Sequence, residues 1–331
     1  MRITTNSQTT TFQSNLFQIQ ERMDKENQRI ATGKDIIRIA DAPDKVADVQ
    51  QLSTLINRNA TYQESMISVG EELTNVGANL QTFSDKLATV REIGLVASES
   101  SNHDKLPVLA QQIFQQLTDM VKIANSDFNG KYSFGGTKTT PESIVPVPPQ
   151  VTKEPFELIQ TAPTATNPSG YQVVFKGNLQ DRTVNTGPNT TEVVNAKADA
   201  AFGTGGTEIF DTLIKSYNLL NYRADGTQRD SSELFSTGEQ RTLQSFVSDM
   251  TREMSNIDLE IGRIGYKQSR MEILSDQITE DNTRLGEFRS RKEDTNIPEA
   301  LINLKKEENA LQYSLQIGSR LMNQSLMDFL R

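Results

Sequence analysis

The strongest constraint on this chain is periodic: at both of its ends apolar residues step alternately by three and four. Near the N-terminus the row runs Phe12, Leu16, Ile19, Met23, Ile30 and Ile37, with Glu26 and Gly33 in the intervening slots. Near the C-terminus it runs Ile297, Leu301, Leu304, Leu311, Leu315, Met322 and Phe329, with Glu308, Gly318 and Ser325 as the polar or small slots. Such an alternation turns one narrow face toward a partner helix, which is the seam of a coiled coil. Two helices of about 30 residues touching along one stripe bury little area, and isolated helices of that size are marginal in water. Apolar residues remain to be covered by neighbours, among them Phe17, Leu326 and Leu330. The ends are therefore expected to order on assembly.

Between the ends the same alternation recurs on a larger scale. Leu52, Leu55, Tyr62, Met66, Val69, Leu73, Val76, Leu80, Phe83, Leu87 and Val90 line one face, without a slip from Met66 to Gly94. A helix over 45–97 would be roughly 80 Å long at about 1.5 Å per residue, which requires a rod. A third helix is expected from Leu106-Pro107, with Phe114, Leu117 and Val121 on one face, to a stop near Asn129-Gly130. A fourth carries Met250, Ile257, Ile264, Met271, Ile278 and Leu285; its second seam position reads Met254, Ile261, Gln268, Ser275 and Asn282 and so turns polar. Asn296-Ile297-Pro298-Glu299 reads as a helix start.

The middle is of another kind. Residues 141–206 are rich in Pro, Thr, Gly and Asn. Gly170 to Phe175 predicts a strand, Gly177-Asn178 a hairpin turn and Arg182-Thr183-Val184 the return strand. The expected fold is mainly α: an elongated, nested helical rod with a terminal antiparallel coiled coil and a small β-rich insertion. The expected division is 1–42 with 295–331 for the coiled coil, 43–140 with 207–294 for the rod, and 141–206 for the insertion.

Composition excludes several kinds of chemistry. The chain has no Cys, which removes disulfides, thiolate catalysis and Cys-ligated metals, and a single His, His103, in a polar run. A net charge of −9 disfavours nucleic-acid binding. No stretch approaches the roughly 18 consecutive apolar residues of a membrane span, and residues 1–11 lack the apolar core of a cleaved signal; composition alone would suggest the cytoplasm. Phe202-Gly203-Thr204-Gly205-Gly206-Thr207 lacks the Lys-Ser/Thr of a phosphate loop and reads as a turn into a helix. Asp41, Asp44 and Asp48 do not have calcium-loop spacing; Asp41 reads as a helix N-cap with acids in the first turn. No nucleophile–base pair is evident. The expectation is no enzyme, no cofactor, no metal, no nucleic acid and no membrane insertion.

Four motifs carry a resemblance. They are Arg29-Ile30-Ala31-Thr32-Gly33-Lys34-Asp35-Ile36 followed by Asp41-Ala42-Pro43-Asp44; Ala124 to Thr137, containing Phe128-Asn129-Gly130-Lys131-Tyr132-Ser133-Phe134-Gly135-Gly136; Phe202 to Ile214; and the tail Gly318 to Leu330. Together they resemble the bacterial flagellin superfamily, and within it the hook-associated members, over nearly the whole chain except 141–200. One departure is the order Asp41-Ala42-Pro43-Asp44-Lys45, rearranged from the family's bend. The resemblance implies a bend built on Gly33, Asp41, Pro43 and Asp44, and a motif whose residues are Phe128, Asn129, Gly130, Tyr132, Phe134 and Gly136. It implies a structural subunit at the hook–filament junction that polymerises through its terminal helices. The implied partners are the first hook-associated protein on the hook side, flagellin on the filament side, copies of itself in a ring, and an export chaperone. It also implies secretion through the flagellar type III pathway. The alternative is a filament subunit; against it, the insertion is small for many flagellins and the tail lacks their Gln-rich ending.

Overall fold

The computed structural model describes residues 2–38, 42–99, 104–230 and 234–329, and side chains for all of these except 2–6, 8 and 321–329. In chain order the helices are α1 (Arg2–Thr32), α2 (Pro43–Ser98), α3 (Leu106–Ala124), α4 (Ala198–Phe202), α5 (Glu208–Asn221), α6 (Thr237–Glu293) and α7 (Ile297–Phe329). Three short antiparallel hairpins lie between α3 and α4: β1 (Asp127–Phe128) with β2 (Lys131–Tyr132), β3 (Phe156–Gln160) with β4 (Tyr171–Phe175), and β5 (Thr183–Gly187) with β6 (Thr190–Val193). The architecture is mainly α with a small β-containing region. The chain divides into two compact units, residues 1–60 with 279–331 and residues 61–278.

In the larger unit, α2 buries Met66, Val69, Leu73, Val76, Leu80, Phe83, Leu87 and Val90, and the alternation continues through Gly94 and Ala97. Gly94 is a seam position without a side chain because the Phe246 ring occupies its place: a Cβ there would come 2.9 Å from the ring. α6 begins with reciprocal capping, Ser236 Oγ accepting from the Glu239 amide at 3.2 Å and Glu239 Oε2 accepting from the Ser236 amide at 2.8 Å. Its buried face is Leu243, Phe246, Met250, Glu253, Ile257, Glu260, Ile264, Met271 and Ile278. The second seam position is thus one residue earlier than the apolar pattern suggests: Glu253 and Glu260 are buried where Met254 and Ile261 are only half-buried. Arg252 and Asn256 bond the Glu253 carboxylate and Arg263 bonds that of Glu260. A buried carboxylate supplied with such partners is tolerated in a seam.

Two local expectations are corrected here. α3 stops at Ala124, and Asn129-Gly130 is the two-residue turn of the β1–β2 hairpin, with φ of 52° and 74°. Left-handed conformation at both turn residues suits Asn-Gly, and Asp127 Oδ2 accepts from the Gly130 amide at 3.0 Å. The strand at 171–175 exists, but its partner is β3, upstream; β5 pairs with β6. Gly177-Asn178 does not turn back, because Asn178 is bound to the segment after β2. Its amide donates to the Gly135 carbonyl at 3.2 Å, and its Oδ1 accepts from the Thr137 amide at 2.9 Å.

In the smaller unit α1 and α7 form an antiparallel pair. Phe12 lies against Gly318, Arg22 Nε donates to Glu307 at 3.0 Å, and Lys34 Nζ donates to Asp294 at 2.6 Å. α1 ends at Thr32 rather than reaching Ile37, because Gly33 adopts a left-handed φ of 69°. The Asp35 amide then donates to the Glu293 carbonyl at 2.7 Å and the Thr295 amide to the Gly33 carbonyl at 2.9 Å. These two bonds tie the corner after α1 to the corner before α7.

Candidate assembly surface

On α1 the inward face is Phe12, Leu16, Ile19, Met23, Glu26 and Ile30, with Ile19 buried and the rest half-buried. On α7 the inward face is Ala300, Leu304, Glu307, Leu311, Ser314 and Gly318. Both rows keep the three–four step. The α7 row shares Leu304, Leu311 and Gly318 with the stripe of large side chains but takes Ala300, Glu307 and Ser314 in place of Leu301, Glu308 and Leu315. The physical reason is at Gly318: the Phe12 ring sits where a Cβ would stand, so a close antiparallel pair needs small residues on α7 opposite large ones on α1. Leu301 is consequently 47% exposed and Leu315 53%, with Ile302, Tyr313 and Ile317 more exposed still. Among the described side chains of α1, Phe17 is the large exposed apolar one. Met322 and Phe329 lie outside the residues whose side chains are described, and so does any contact they make.

The corner residues have separate roles. Pro43 opens α2 as its first residue, where a missing N–H costs nothing, and Asp44 stands in the first turn beside the positive end of the helix. Asp41 and His103 lie outside the described residues. Lys34 is held above the ordinary lysine range, chiefly by its hydrogen bond to Asp294, and Asp294 correspondingly below the carboxylate range by Lys34. Both are well exposed, so this pair positions the corner more than it stabilises it.

The motif around Phe134 belongs to the larger unit and is buried there. Phe134 meets Phe202 at 4.9 Å between ring centres; Phe202 in turn meets Phe83 at 4.9 Å, Phe156 at 5.3 Å and Phe210 at 5.5 Å. Two motifs distant in sequence, Tyr132 to Thr137 and Phe202 to Ile214, are therefore halves of one aromatic core. Gly136, at a φ of 69°, has the Asn178 carbonyl where a Cβ would point. Phe128 and Tyr132 are half-buried in the hairpin, and Asn129 and Gly130 are exposed at its turn. Burial, followed by the nearby carboxylates of Glu154, Asp127 and Glu142, pushes the Tyr132 phenol up. Asn125 was not singled out by sequence. Its amide bonds both backbone groups of Phe156, each at 2.8 Å, and so substitutes for a strand along that edge; its place beside the Asp-Phe-Asn-Gly run is the only signal it carries.

Among the described residues no three of His, Cys, Asp or Glu form a metal cluster, and no helix is long and apolar enough to cross a membrane. Residues 3–139 match the family model of the bacterial flagellin N-terminal helical region. Comparison with curated protein sequences gives no match. Among solved structures the chain is similar to one described as a flagellar hook-associated protein from Vibrio parahaemolyticus, at 16% identity and a TM-score of 0.59, covering 77% of this chain and all of that one. It is also similar to the FlgL protein of Xanthomonas campestris, at 13% identity and a TM-score of 0.52, covering 73% of this chain and 99% of that one. At such identities the likeness is one of fold, and the fold is flagellin-like.

Proposed function

We propose that the chain is a structural, non-enzymatic subunit of the bacterial flagellum, secreted to the hook–filament junction, where it adapts hook to filament. The observation that carries this reading is the set of large apolar side chains on α7, Leu301, Ile302, Tyr313, Leu315 and Ile317, that α1 leaves exposed. Large apolar side chains exposed together on one helix mark a surface that other subunits cover. The flagellin match over 3–139 and the hook-associated fold relatives support a flagellar setting.

In this reading residues 1–42 with 295–331 polymerise, 43–140 with 207–294 carry the helical body, and 141–206 form the β-rich insertion. The inward residues Phe12, Leu16, Ile19, Met23, Ile30, Leu304 and Leu311 join α1 to α7, while Leu301 and Leu315, with Met322 and Phe329, meet neighbouring subunits. The partners are copies of the chain in a ring, the first hook-associated protein below and flagellin above, with a chaperone before export. A junction needs two unlike end-faces, so the chain fits its own kind poorly end to end.

The test is a deletion strain complemented with either the native chain or Leu301→Asp with Leu315→Asp. The deletion is expected to make hooks without filaments and to shed flagellin; the native chain restores filaments and the double variant does not, while its monomer unfolds at the native temperature. Filaments in the deletion strain, or long filaments grown by the purified chain alone, would assign it to the filament instead.

A further inference from the structure

An exposed apolar row also lies on α6, within the larger unit. Leu259, Tyr266 and Ile273 are 64%, 67% and 63% exposed. They are spaced by seven, and Gly262 and Ser269 fill the intermediate positions, so the row is a complete three–four stripe with large and small residues alternating. It lies on the side of α6 roughly opposite the buried Ile257, Ile264 and Met271, at about 100° per residue. Isolated exposed apolar residues are ordinary, but an ordered stripe of them is not. Gly262 reinforces the point: a glycine inside a helix is less favourable than alanine, and nothing lies within 4 Å of where its Cβ would be. No intramolecular neighbour requires it.

About a third of a turn further round α6 the same unit has a groove, of about 330 Å³, between α6 and α2. Met66 and Met271 lie at its floor and the half-exposed Ile67 at its wall. Gln268 Nε2 donates to Thr74 Oγ1 at 2.9 Å across it. Gly70 opens onto it with nothing within 4 Å of its missing Cβ. Its charge is of one sign: Glu71, Glu272 and Asp276 line it, all exposed, and none is paired within the described chain. One flank of the stripe on α6 carries the opposite sign, while the other carries the exposed Asp258. Arg263 and Arg270 are 67% and 45% exposed; Glu260 and Glu192 each hold one of them in place and leave guanidinium donors unused.

We infer that the Leu259–Tyr266–Ile273 stripe of one copy docks in the α2–α6 groove of a second copy. The groove is lined over nine residues of each helix, Met66 to Thr74 and Gln268 to Asp276, about 12 Å between the end residues at about 1.5 Å per residue. That length accepts one heptad, and so two of the three large side chains. Gly262 and Gly70 let the helices approach, and Arg263 and Arg270 face the unpaired carboxylates. Stripe and groove are different surfaces pointing in different directions, so the contact is heterologous and repeats from copy to copy rather than closing on a pair. Antiparallel docking of stripe on stripe would set arginines against arginines. The inference rests on the proposed function only for the presence of neighbouring copies.

The absence of cysteine makes a direct test possible. Ile67→Cys and Tyr266→Cys are introduced into separate full-length chains and oxidised at high protein concentration, alone and mixed. A disulfide-linked dimer is expected from the mixture and from neither variant alone, and a ladder of multimers from the chain carrying both. Arg270→Glu in the Tyr266→Cys chain, which leaves the Arg263–Glu260 pair intact, is expected to lower the yield several-fold, and Glu272→Lys in the Ile67→Cys chain to restore it. Gly70→Leu, whose Cβ has open space around it, is expected to leave the chain folded, as read by thermal unfolding, and to remove the product. Dimers from Tyr266→Cys alone, no product from the mixture above that of a Val108→Cys control, or a yield indifferent to the charge reversals would each overturn the inference. Immunolabelling of flagella is scored separately. Absence from the junction overturns the proposed function, while absence of the disulfide from chains present there overturns only the docking.

Discussion

The α1–α7 pair and the core around Phe83 use the same three–four alternation and reach opposite results. In the core, Leu80, Phe83, Leu87 and Val90 are completely buried, and five aromatic rings from five separate segments close on one another. In the terminal pair only Ile19, Ala300 and Gly318 are buried among the residues whose side chains are described, and Glu26, Glu307 and Ser314 occupy seam positions. A heptad determines which residues face a partner but not how much they bury there. A third and fourth element supply closure in the core; among the described residues α1 and α7 pack chiefly on each other.

The largest expected contrast is in hydrogen exchange of the isolated chain. Amides of 12–30 should exchange orders of magnitude faster than those of 69–90, because local opening is cheap where few apolar contacts are lost; equal protection would mean the pair is self-sufficient. Next, Phe202→Ala removes the ring shared by Phe83, Phe134, Phe156 and Phe210 and should cost about 3–5 kcal/mol in denaturant unfolding.

Lys176→Met should cost a comparable amount. Lys176 Nζ and Glu157 Oε2 are 2.7 Å apart, both buried, and removing one partner strands the other charge, at about 3–5 kcal/mol. Burial alone would raise the Glu157 carboxyl, but Lys176 and the amides of Val151 and Thr152 outweigh it and hold it below the ordinary range. Its contribution is therefore complete above the unfolded value of about 4.3 and is lost as pH falls through the lower folded value. Lys176→Met with Glu157→Leu should recover much of the stability and flatten this acid limb of the unfolding curve. The smallest effect is expected from Leu315→Ala, within about 0.5 kcal/mol in the monomer; a loss as large as that of Phe202→Ala would show that α7 is already covered.

Periodicity by itself determined the helices and much of their inward faces. Phe12, Leu16, Ile19, Met23 and Ile30 on α1, and Met66 to Val90 on α2, follow because residues three and four apart share a face whatever the partner. Pro107 and Asn296 marked helix starts through local backbone preference, which also needs no partner, whereas periodicity carried Gly33 as a seam slot and its left-handed φ ends α1 there. What depended on a second element was not legible. Which α7 stripe meets α1 was settled by the room that Phe12 leaves at Gly318, so small residues took the seam and Leu301 and Leu315 were left outside. Glu253 and Glu260 became seam residues because Arg252, Asn256 and Arg263 could reach them. β4 paired with β3 rather than β5 because Asn178 is held at Gly135 and Thr137. Local preference and periodicity are properties of a segment alone; register, closeness of approach and the satisfaction of buried polar groups belong to pairs of segments, and only the tertiary structure brings those pairs together.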